Sequence, residues 1–386
     1  MNLAPRSFDL VLGGKTTVEN TAVVLGGRDA VYRRWSQGSP EERADALVGA
    51  LKLGAEGLTL VQQATQDHCP VVRRRACQLL WTREKADSYW LMDHLVTLAG
   101  HTKAVSGIAL HQGGNLMISC GYDRTIRIWE RSTGKLLHKC KDHTDLVTAI
   151  VLSPDQRTLI SASRDRTIRV WDIETGILER TITGHSGYVN SVAITPDGTT
   201  IVTGSQDSTI KLWQLSTGTE LQTIKAHTNL VNAVALSPDG KTIVSCSWNT
   251  MIRVWDRETG QLRWEFVGHS ARVWAFALSH CGQYLFSGSR DRTIKIWDLQ
   301  RGQLVQELEG HKGEVRSILI TPDDRYLISA SFREIKIWDL QQNRDIHTLR
   351  GHLDVINTLA FDADRMLLAS GGDDHTIQLW GIPGNF

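Results

Sequence analysis

The sequence has no surplus of charge of either sign. Its 386 residues include 43 Lys and Arg against 42 Asp and Glu, so the formal net charge is +1. Proteins that bind nucleic acid or an anionic membrane through charge carry basic patches or tails. The longest basic run here is Arg73–Arg75. No nucleic-acid partner is therefore expected.

Cysteines are few and apolar runs are short. The six Cys, at positions 69, 77, 120, 140, 246 and 281, form no C-x-x-C pair and no dense framework. This usage suits a reducing compartment better than a secreted protein. No apolar run approaches the roughly 18 residues of a membrane-spanning helix, and the first residues lack the pattern of a signal peptide. We therefore expect a cytoplasmic protein without membrane insertion.

Motifs of catalysis and metal binding are missing. The sequence has no G-x-S-x-G, no H-E-x-x-H and no Cys set at zinc spacing. The stretch "LGGKT" at 12–16 has Asp9 where a phosphate-binding loop needs its first Gly. We predict no catalytic residue, no metal site and no cofactor, and hence a protein that is not an enzyme.

What the sequence does contain is a long repeat. Tryptophan recurs at positions 129, 171, 213, 255, 297, 338 and 380. Five of these steps are 42 residues and one, from Trp297 to Trp338, is 41. A histidine keeps the same step, at positions 101, 143, 185, 227, 269, 311 and 352. Two markers in register over seven copies indicate a repeat architecture.

Each repeat has the pattern of four short strands. In the third copy, apolar residues alternate with polar ones around Val192, Ile201 and Ile210, and turn residues stand between them, as in "TPDG" at 195–198. A four-stranded sheet of this kind cannot bury both faces alone. Seven twisted sheets that stack on their neighbours can close a ring.

The repeat "GH…PDG…S-x-D-x-T-I-x-x-W-D" resembles the WD40 repeat. The resemblance implies a mainly β protein, a seven-bladed WD40 β-propeller over residues 92–386, preceded by a small α-helical domain. In this family the first strand completes the last blade. The segment "DHLVTLAG" therefore implies that residues 93–98 form the outer strand of blade seven, which removes an exposed sheet edge.

The resemblance also implies a structural role for the repeated polar residues. In the family, Trp donates to a Ser or Thr hydroxyl and Asp holds the His, which satisfies buried polar groups. The structural residues implied are His101, His143, His185, His227, His269, His311, His352, Asp123, Asp165, Asp207, Asn249, Asp291, Asp374, Trp129, Trp171, Trp213, Trp255, Trp297, Trp338 and Trp380. Asn249 should weaken the bond to His227.

Blade six has lost one residue in "SASFREIKIW", so no Asp stands six residues before Trp338. We expect a shortened turn between its second and third strands and an incomplete network. Two interpretations remain: drift at a tolerant position, or a loop reshaped for a partner.

The first ninety residues differ from the repeat. After a leader at 1–20, residues 21–91 carry helical patterns. Ser39 is placed to cap "PEERADALVGAL", and "AEGLTLVQQATQD" and "CPVVRRRACQLLW" predict two further helices. The motif "D-x-x-P-x-V-R-R-x-A…L-L" from Asp67 to Leu80 resembles half of a HEAT repeat. A HEAT-like segment before WD40 repeats is similar to a bacterial, cyanobacterial-type layout. Arg73–Arg75 fit either an acidic partner or a solvated helix face.

By resemblance, partners bind the propeller face formed by the loops before the innermost strands and the turns between second and third strands. Candidate partner-binding residues at these positions are Tyr122, Arg164, Tyr188, Trp248, Arg272, Trp274, Arg290, Arg316 and Phe332. Asn190, Leu230, Glu314 and Asp373 occupy further positions of this kind. Aromatic residues and Arg anchor interfaces, although the aromatics also fit as filling of the central channel.

Three functions follow as hypotheses. The first is a non-catalytic scaffold or adaptor that binds a protein or peptide with acidic and apolar groups. The second is a regulatory or sensing subunit that docks a partner through its helical domain. The third is an enzyme or a small-molecule binder that uses the central channel.

Overall fold

The computed structural model describes residues 27–53, 55–64, 67, 69, 72, 75, 76, 79, 92–112 and 114–381. Its contacts divide the chain into two units, Met1–Lys85 and Ala86–Phe386. The first unit contains α1 (Gly27–Gln37), α2 (Pro40–Ala50), a 3-10 turn (Leu51–Leu53) and α3 (Ala55–Ala64). The leader at 1–20 and most of the HEAT-like motif lie outside the described residues. Helix α1 was not among the helices that the sequence predicted.

The start of α2 shows why this segment is helical. The Ser39 Oγ accepts from the Glu42 backbone N–H, and the Glu42 side chain accepts from the Ser39 N–H, which forms a capping box. Pro40 occupies the first turn, where its missing N–H costs no hydrogen bond. Leu47 and Ala50 are fully buried on the apolar side of the helix.

In residues 92–112 and 114–381, the second unit contains 27 strands, which confirms the mainly β, seven-bladed propeller. The strands of blades one to four are β2 (Val105–Leu110), β3 (Leu116–Gly121), β4 (Ile126–Glu130), β5 (Lys135–Cys140), β6 (Val147–Leu152), β7 (Thr158–Ser163), β8 (Ile168–Asp172), β9 (Leu178–Ile182), β10 (Val189–Ile194), β11 (Thr200–Ser205), β12 (Thr209–Gln214), β13 (Glu220–Lys225), β14 (Val231–Leu236), β15 (Thr242–Ser247), β16 (Ile252–Asp256) and β17 (Leu262–Phe266). The remaining strands are β18 (Val273–Leu278), β19 (Tyr284–Ser289), β20 (Ile294–Asp298), β21 (Gln303–Leu308), β22 (Ser317–Ile320), β23 (Tyr326–Ala330), β24 (Phe332–Asp339), β25 (Arg344–Asp362), β26 (Leu367–Gly372), β27 (Thr376–Gly381) and β1 (Asp93–Ala99).

Blades one to five are separate four-stranded antiparallel meanders. Blades six and seven share the long strand β25, so their strands follow one order, β1-β27-β26-β25-β24-β23-β22. Strand β1 pairs with β27, from Asp93 opposite Gly381 to Ala99 opposite Thr376. The first strand of the propeller therefore supplies the outer edge of its last blade, and the ring closes through hydrogen bonds between strands far apart in sequence.

The core lies between neighbouring blades. Ile118 and Ile128 of blade one pack with Leu159 and Trp171 of blade two, and all four are buried. The same arrangement recurs at the closure, where Val105 and Met117 of blade one pack with strands β1 and β27. Each sheet therefore buries apolar residues of its faces against the neighbouring blades.

A buried ion pair reinforces the closure between blades seven and one. Arg131 Nη1 donates to Asp362 Oδ2 at 2.9 Å, and Arg131 Nη2 donates to the Gly114 carbonyl at 2.8 Å. Both charged side chains are at least 95% buried. The position of Asp362 carries Ser or Thr in blades two to six (Ser153, Thr195, Ser237, Ser279 and Thr321). This carboxylate therefore belongs to the closing junction only.

Candidate functional site

Five blades contain a complete four-residue network. In blade two, Trp171 Nε1 donates to Ser161 Oγ at 2.8 Å, His143 Nε2 lies 2.8 Å from the same oxygen, and His143 Nδ1 lies 2.7 Å from Asp165 Oδ2. The hydroxyl is that of Ser161 rather than Ser163. The equivalent sets are His101, Ser119, Trp129, Asp123; His185, Thr203, Trp213, Asp207; His269, Ser287, Trp297, Asp291; and His352, Ser370, Trp380, Asp374.

The Asp carboxylate is the most heavily hydrogen-bonded member of the network. Asp165 accepts from His143, from the Thr144 backbone N–H at 3.1 Å and from the Thr167 hydroxyl at 2.6 Å. Burial by itself raises the pKa of this carboxyl, but the hydrogen bonds from His143 and Thr167 and the His143 charge together hold the pKa well below its usual range. The Asp165 carboxylate therefore stays ionised, and its hydrogen bonds join the loop before the innermost strand to the following turn.

Blade four lacks this carboxylate. No hydrogen bond joins Asn249 to His227, and His227 Nδ1 is buried without a partner among the described residues. The expected weakened bond is therefore absent. His227 Nε2 still lies 2.9 Å from Ser245 Oγ, which accepts from Trp255 at 2.8 Å. Burial, and then the nearby Arg253 charge, lower the pKa of His227 to about 4.

Blade six replaces the missing Asp in a different way. Only Ser331 separates β23 from β24, and Glu334 Oε1 comes within 3.5 Å of His311 Nδ1. This separation is ion-pair distance but too long for a good hydrogen bond. The other links remain, with His311 Nε2 at 2.6 Å and Trp338 Nε1 at 2.7 Å from Ser329 Oγ. The sequence pattern missed Glu334, because it stands four residues before Trp338 instead of six.

The loops before the innermost strands and the turns between second and third strands meet at one end of the channel, which we call the upper face. Backbone hydrogen bonds join loop to turn, as from Arg164 N to the Leu146 carbonyl at 2.9 Å and from Arg290 N to the Arg272 carbonyl at 2.8 Å. A cavity of about 440 Å³ opens here. Six of the nine candidate partner-binding residues line it: Tyr122, Arg164, Tyr188, Trp248, Trp274 and Arg316.

A belt of hydrogen bonds runs around part of this channel, with one residue from each of five blades. In these blades the residue five positions after the repeat His donates its side chain to a backbone carbonyl of the next blade. The observed bonds are Ser106 to Val147 (2.6 Å), Thr148 to Val189 (2.6 Å), Asn190 to Val231 (2.9 Å), Asn232 to Val273 (3.3 Å) and Asn357 to Val105 (3.2 Å). In these five blades the position therefore joins neighbouring blades.

The belt is interrupted at Trp274 and Arg316. The indole Nε1 of Trp274 is buried and has no hydrogen-bond partner in the described part of the chain. The Arg316 guanidinium instead lies over the Trp274 ring at 4.8 Å and donates to Glu314 and Asn357, each at 3.2 Å. At these two positions, large side chains therefore replace the residues that elsewhere donate a hydrogen bond to a backbone carbonyl of the next blade.

The other candidate residues lie around the same mouth. The Arg272 guanidinium stacks on the Trp248 ring at 3.8 Å, and Trp248 is 38% exposed. Phe332 is 45% exposed at the start of β24, next to the shortened turn of blade six. Arg290 is exposed, and its Nε donates to Glu314 Oε1 at 2.9 Å. Arg272, Arg290 and Phe332 do not line the cavity.

Among the residues that the structure describes, no three His, Cys, Asp or Glu side chains form a group that could hold a metal ion. Within the same residues, no helix has the length and apolar character needed to cross a bilayer.

Comparisons with known proteins agree with this geometry. The WD domain, G-beta repeat, matches seven segments: residues 92–130, 134–172, 176–214, 218–256, 260–298, 302–339 and 343–381. An uncharacterized WD repeat-containing protein of Synechocystis is 51% identical over 47 residues, which are 12% of this chain and 14% of that protein.

Two further relatives match in part. The probable cytosolic iron-sulfur protein assembly protein Ciao1 of Anopheles gambiae is 49% identical over 41 residues, 11% of this chain and 12% of the relative. The nuclear distribution protein nudF of Emericella nidulans is 31% identical over 122 residues, 28% of this chain and 27% of the relative. The chain thus aligns with less than a third of each of these three proteins.

The seven matched segments together cover more than half of the chain and coincide with the seven blades and their polar networks. Proteins built from these repeats generally mediate protein–protein interactions and are generally not catalytic. The chain belongs to the WD40-repeat family.

Proposed function

We propose that this protein is a non-catalytic, cytoplasmic scaffold or adaptor, and that it binds a protein or peptide partner on the upper face of blades four to six. The observation that supports this most is the interrupted belt. Five blades use the channel position to join neighbours, whereas Trp274 and Arg316 place an aromatic ring and a guanidinium there.

The surroundings of Trp274 fit a partner with acidic and apolar groups. Trp248 and Phe332 are large apolar side chains exposed to solvent on blades four and six, on either side of the blade that carries Trp274. Exposed aromatics next to Arg are the composition of interface hot spots. Arg290 and Arg316 share one carboxylate, that of Glu314, so the cluster carries a net positive charge. Such a charge favours association with an acidic surface.

The test is capture of partners from the native host, followed by affinity measurement on the purified partner. Trp274→Ala should weaken binding about thirtyfold or more, since a hot-spot aromatic contributes about 2 kcal/mol or more. The matched control is Trp264→Ala, because Trp264 is 37% exposed on the outer strand β17, away from the channel. It should leave binding unchanged.

Charge is tested separately. Arg290→Ala should slow association and flatten its salt dependence if the partner is acidic, because the exposed guanidinium acts mainly through long-range attraction.

The alternative, docking through the helical domain, is favoured by a different result. Binding would then survive both upper-face variants and be lost when Arg73–Arg75 are replaced by Ala.

A further inference from the structure

We propose that the upper face has a second functional sector, on blades one to three, in which Tyr122, Arg164 and Tyr188 bind a carboxylate of the partner's peptide chain. The inference rests on the proposed function in one respect, since it takes the upper face as the partner surface. It concerns different blades from the Trp274 sector, so the two can succeed or fail separately.

Three blades supply one side chain each to this cluster. Tyr122 precedes the turn Asp of blade one, Arg164 holds the same position in blade two, and Tyr188 lies in the loop before β10 of blade three. The Arg164 guanidinium lies between the two rings, 5.8 Å from each ring centroid. All three side chains are partly buried and line the channel cavity.

The cluster offers hydrogen-bond donors without acceptors. Arg164 has no carboxylate within 4.0 Å in the described part of the chain, and its Nε is buried without a partner. By contrast, the buried Arg131 has Asp362 at 2.9 Å. The Tyr122 and Tyr188 hydroxyls also form no hydrogen bond with described residues. A partly desolvated guanidinium without a counter-ion is costly, so an incoming anion gains more here than at an exposed Arg.

The geometry favours a carboxylate over a nucleic-acid base. The Arg164 guanidinium carbon lies over both tyrosine rings, 5.8 Å from each centroid, so it occupies the ring faces on which a base would stack. The guanidinium offers paired N–H groups, which match the two oxygens of a carboxylate. The hydroxyls of Tyr122 and Tyr188, which line the same cavity, are further donors for a bound carboxylate.

The neighbouring polar side chains do not compete for this role. Ser106, Thr148 and Asn190 line the same cavity, but each already donates to a carbonyl of the next blade. The carboxylate can come from an Asp or Glu side chain or from the C terminus of the partner, because both present the same pair of oxygens.

The experiment uses three short peptides and the full chain, with isothermal titration at low salt. The first is acetyl-Gly-Leu-Glu-Leu-Gly-amide, the second has Gln in place of Glu, and the third is the Gln peptide with a free C-terminal carboxylate. We expect the Glu peptide, the free-carboxylate peptide or both to bind at least tenfold more tightly than the neutral Gln peptide. Whichever acidic peptide binds more tightly identifies the source of the carboxylate.

Variants assign the binding to the cluster. Arg164→Ala should reduce the affinity for the acidic peptides to that of the neutral one, a loss of about tenfold to a hundredfold for hydrogen bonds to a charged group. Tyr122→Phe and Tyr188→Phe, which remove only a hydroxyl, should each weaken binding about threefold to tenfold. Arg166→Ala, an exposed Arg in the same turn, is the matched control and should change little.

Three results would overturn the proposal: equal binding of acidic and neutral peptides, including no binding of any; an Arg164→Ala variant that keeps the wild-type affinity; or an equal loss with Arg166→Ala. A melting temperature measured for each variant separates loss of the site from loss of the fold. If Trp274→Ala leaves partner binding intact but Arg164→Ala abolishes peptide binding, the proposed blade four-to-six site fails and the carboxylate site stands.

Discussion

Replacing Asn249 with Asp should stabilise the protein, because blade four has every member of the polar network except the carboxylate. In the five complete blades, one Asp oxygen lies 2.7–3.0 Å from His Nδ1 and accepts the backbone N–H after that His at 2.9–3.1 Å. In blade four, His227 Nδ1 is buried without a partner. Asn249→Asp supplies an acceptor for it.

The expected gain is about 1–3 kcal/mol in the free energy of unfolding, the usual range for hydrogen bonds to a charged group less the cost of burying that charge. Blade four also carries Met251 where the complete blades have Thr, whose hydroxyl donates to the Asp. The double change of Asn249→Asp with Met251→Thr should therefore add about 1 kcal/mol more.

The pH dependence gives an independent check. The pKa of His227 is lowered in the folded protein to about 4, from 6.5 in the unfolded chain. The unfolded state therefore binds the proton first as pH falls, and the stability associated with neutral His227 is present above pH 6.5 and lost progressively toward pH 4. Over that interval the loss amounts to about 3 kcal/mol. A carboxylate beside His227 opposes the lowering of the His227 pKa. The Asn249→Asp variant should therefore lose less of its free energy of unfolding between these pH values.

Urea titrations of the wild type and the Asn249→Asp variant at pH 7 and pH 5 measure both effects. Asp207→Asn, in the complete network of blade three, is the matched reverse change. It removes the carboxylate that His185 Nδ1 contacts, so that His185 resembles His227. It should destabilise by about 1–3 kcal/mol and introduce a new loss of stability toward acid. The reasoning is refuted if Asn249→Asp is neutral or destabilising at pH 7 while Asp207→Asn behaves as stated.

Two further predictions concern ring closure. Arg131→Ala should cost about 1.5–3 kcal/mol, since it removes the buried partner of Asp362 and leaves the more exposed Arg365, 3.3 Å away, paired with that carboxylate. A thermal melt of the variant that matches the wild type would show the Arg131–Asp362 pair to be unimportant. Removing residues 1–99 should lower the melting temperature far more than removing residues 1–85, because only the longer truncation deletes β1 and exposes the edge of β27; coincident melts of the two truncations would contradict the role given to β1.

The sequence predicted the architecture well because its signals are local and repeated. The fixed step between Trp and His positions follows from one structural unit copied seven times, and the alternation of apolar residues within a copy fixes which residues face the neighbouring blade. The members of each polar network lie within 30 residues of one another, so a single repeat contains them all.

The polar networks of the irregular blades four and six were harder to predict from the sequence. The loss of one residue in blade six was visible, but not that Glu334 would approach His311 from the shortened turn. For Asn249, the sequence identified the substitution, whereas the structure showed that the bond to His227 is lost rather than weakened. In both cases the outcome depends on a side chain's reach from an altered backbone, which a pattern of residue types does not encode.

The upper face shows where the pattern alone gives incomplete information. Equivalent positions in the repeat predicted Asn190 and Trp274 as similar surface residues, yet Asn190 is committed to the Val231 carbonyl while Trp274 has no hydrogen-bond partner in the described chain. The difference arises across the boundary between blades, where the side chain of one copy meets the backbone of the next.

The sequence by itself determined the number of blades, their strands and the residues of the five complete polar networks, since these follow from the pattern of one copy and from the number of copies. Only the tertiary structure decided which residues meet across copies. Arg131 and Asp362 are 231 positions apart and become partners because the ring closes. Tyr122, Arg164 and Tyr188 form one cluster because three blades converge on the channel. Such contacts depend on how all seven blades are arranged around the channel, and the sequence of a single repeat does not contain that arrangement.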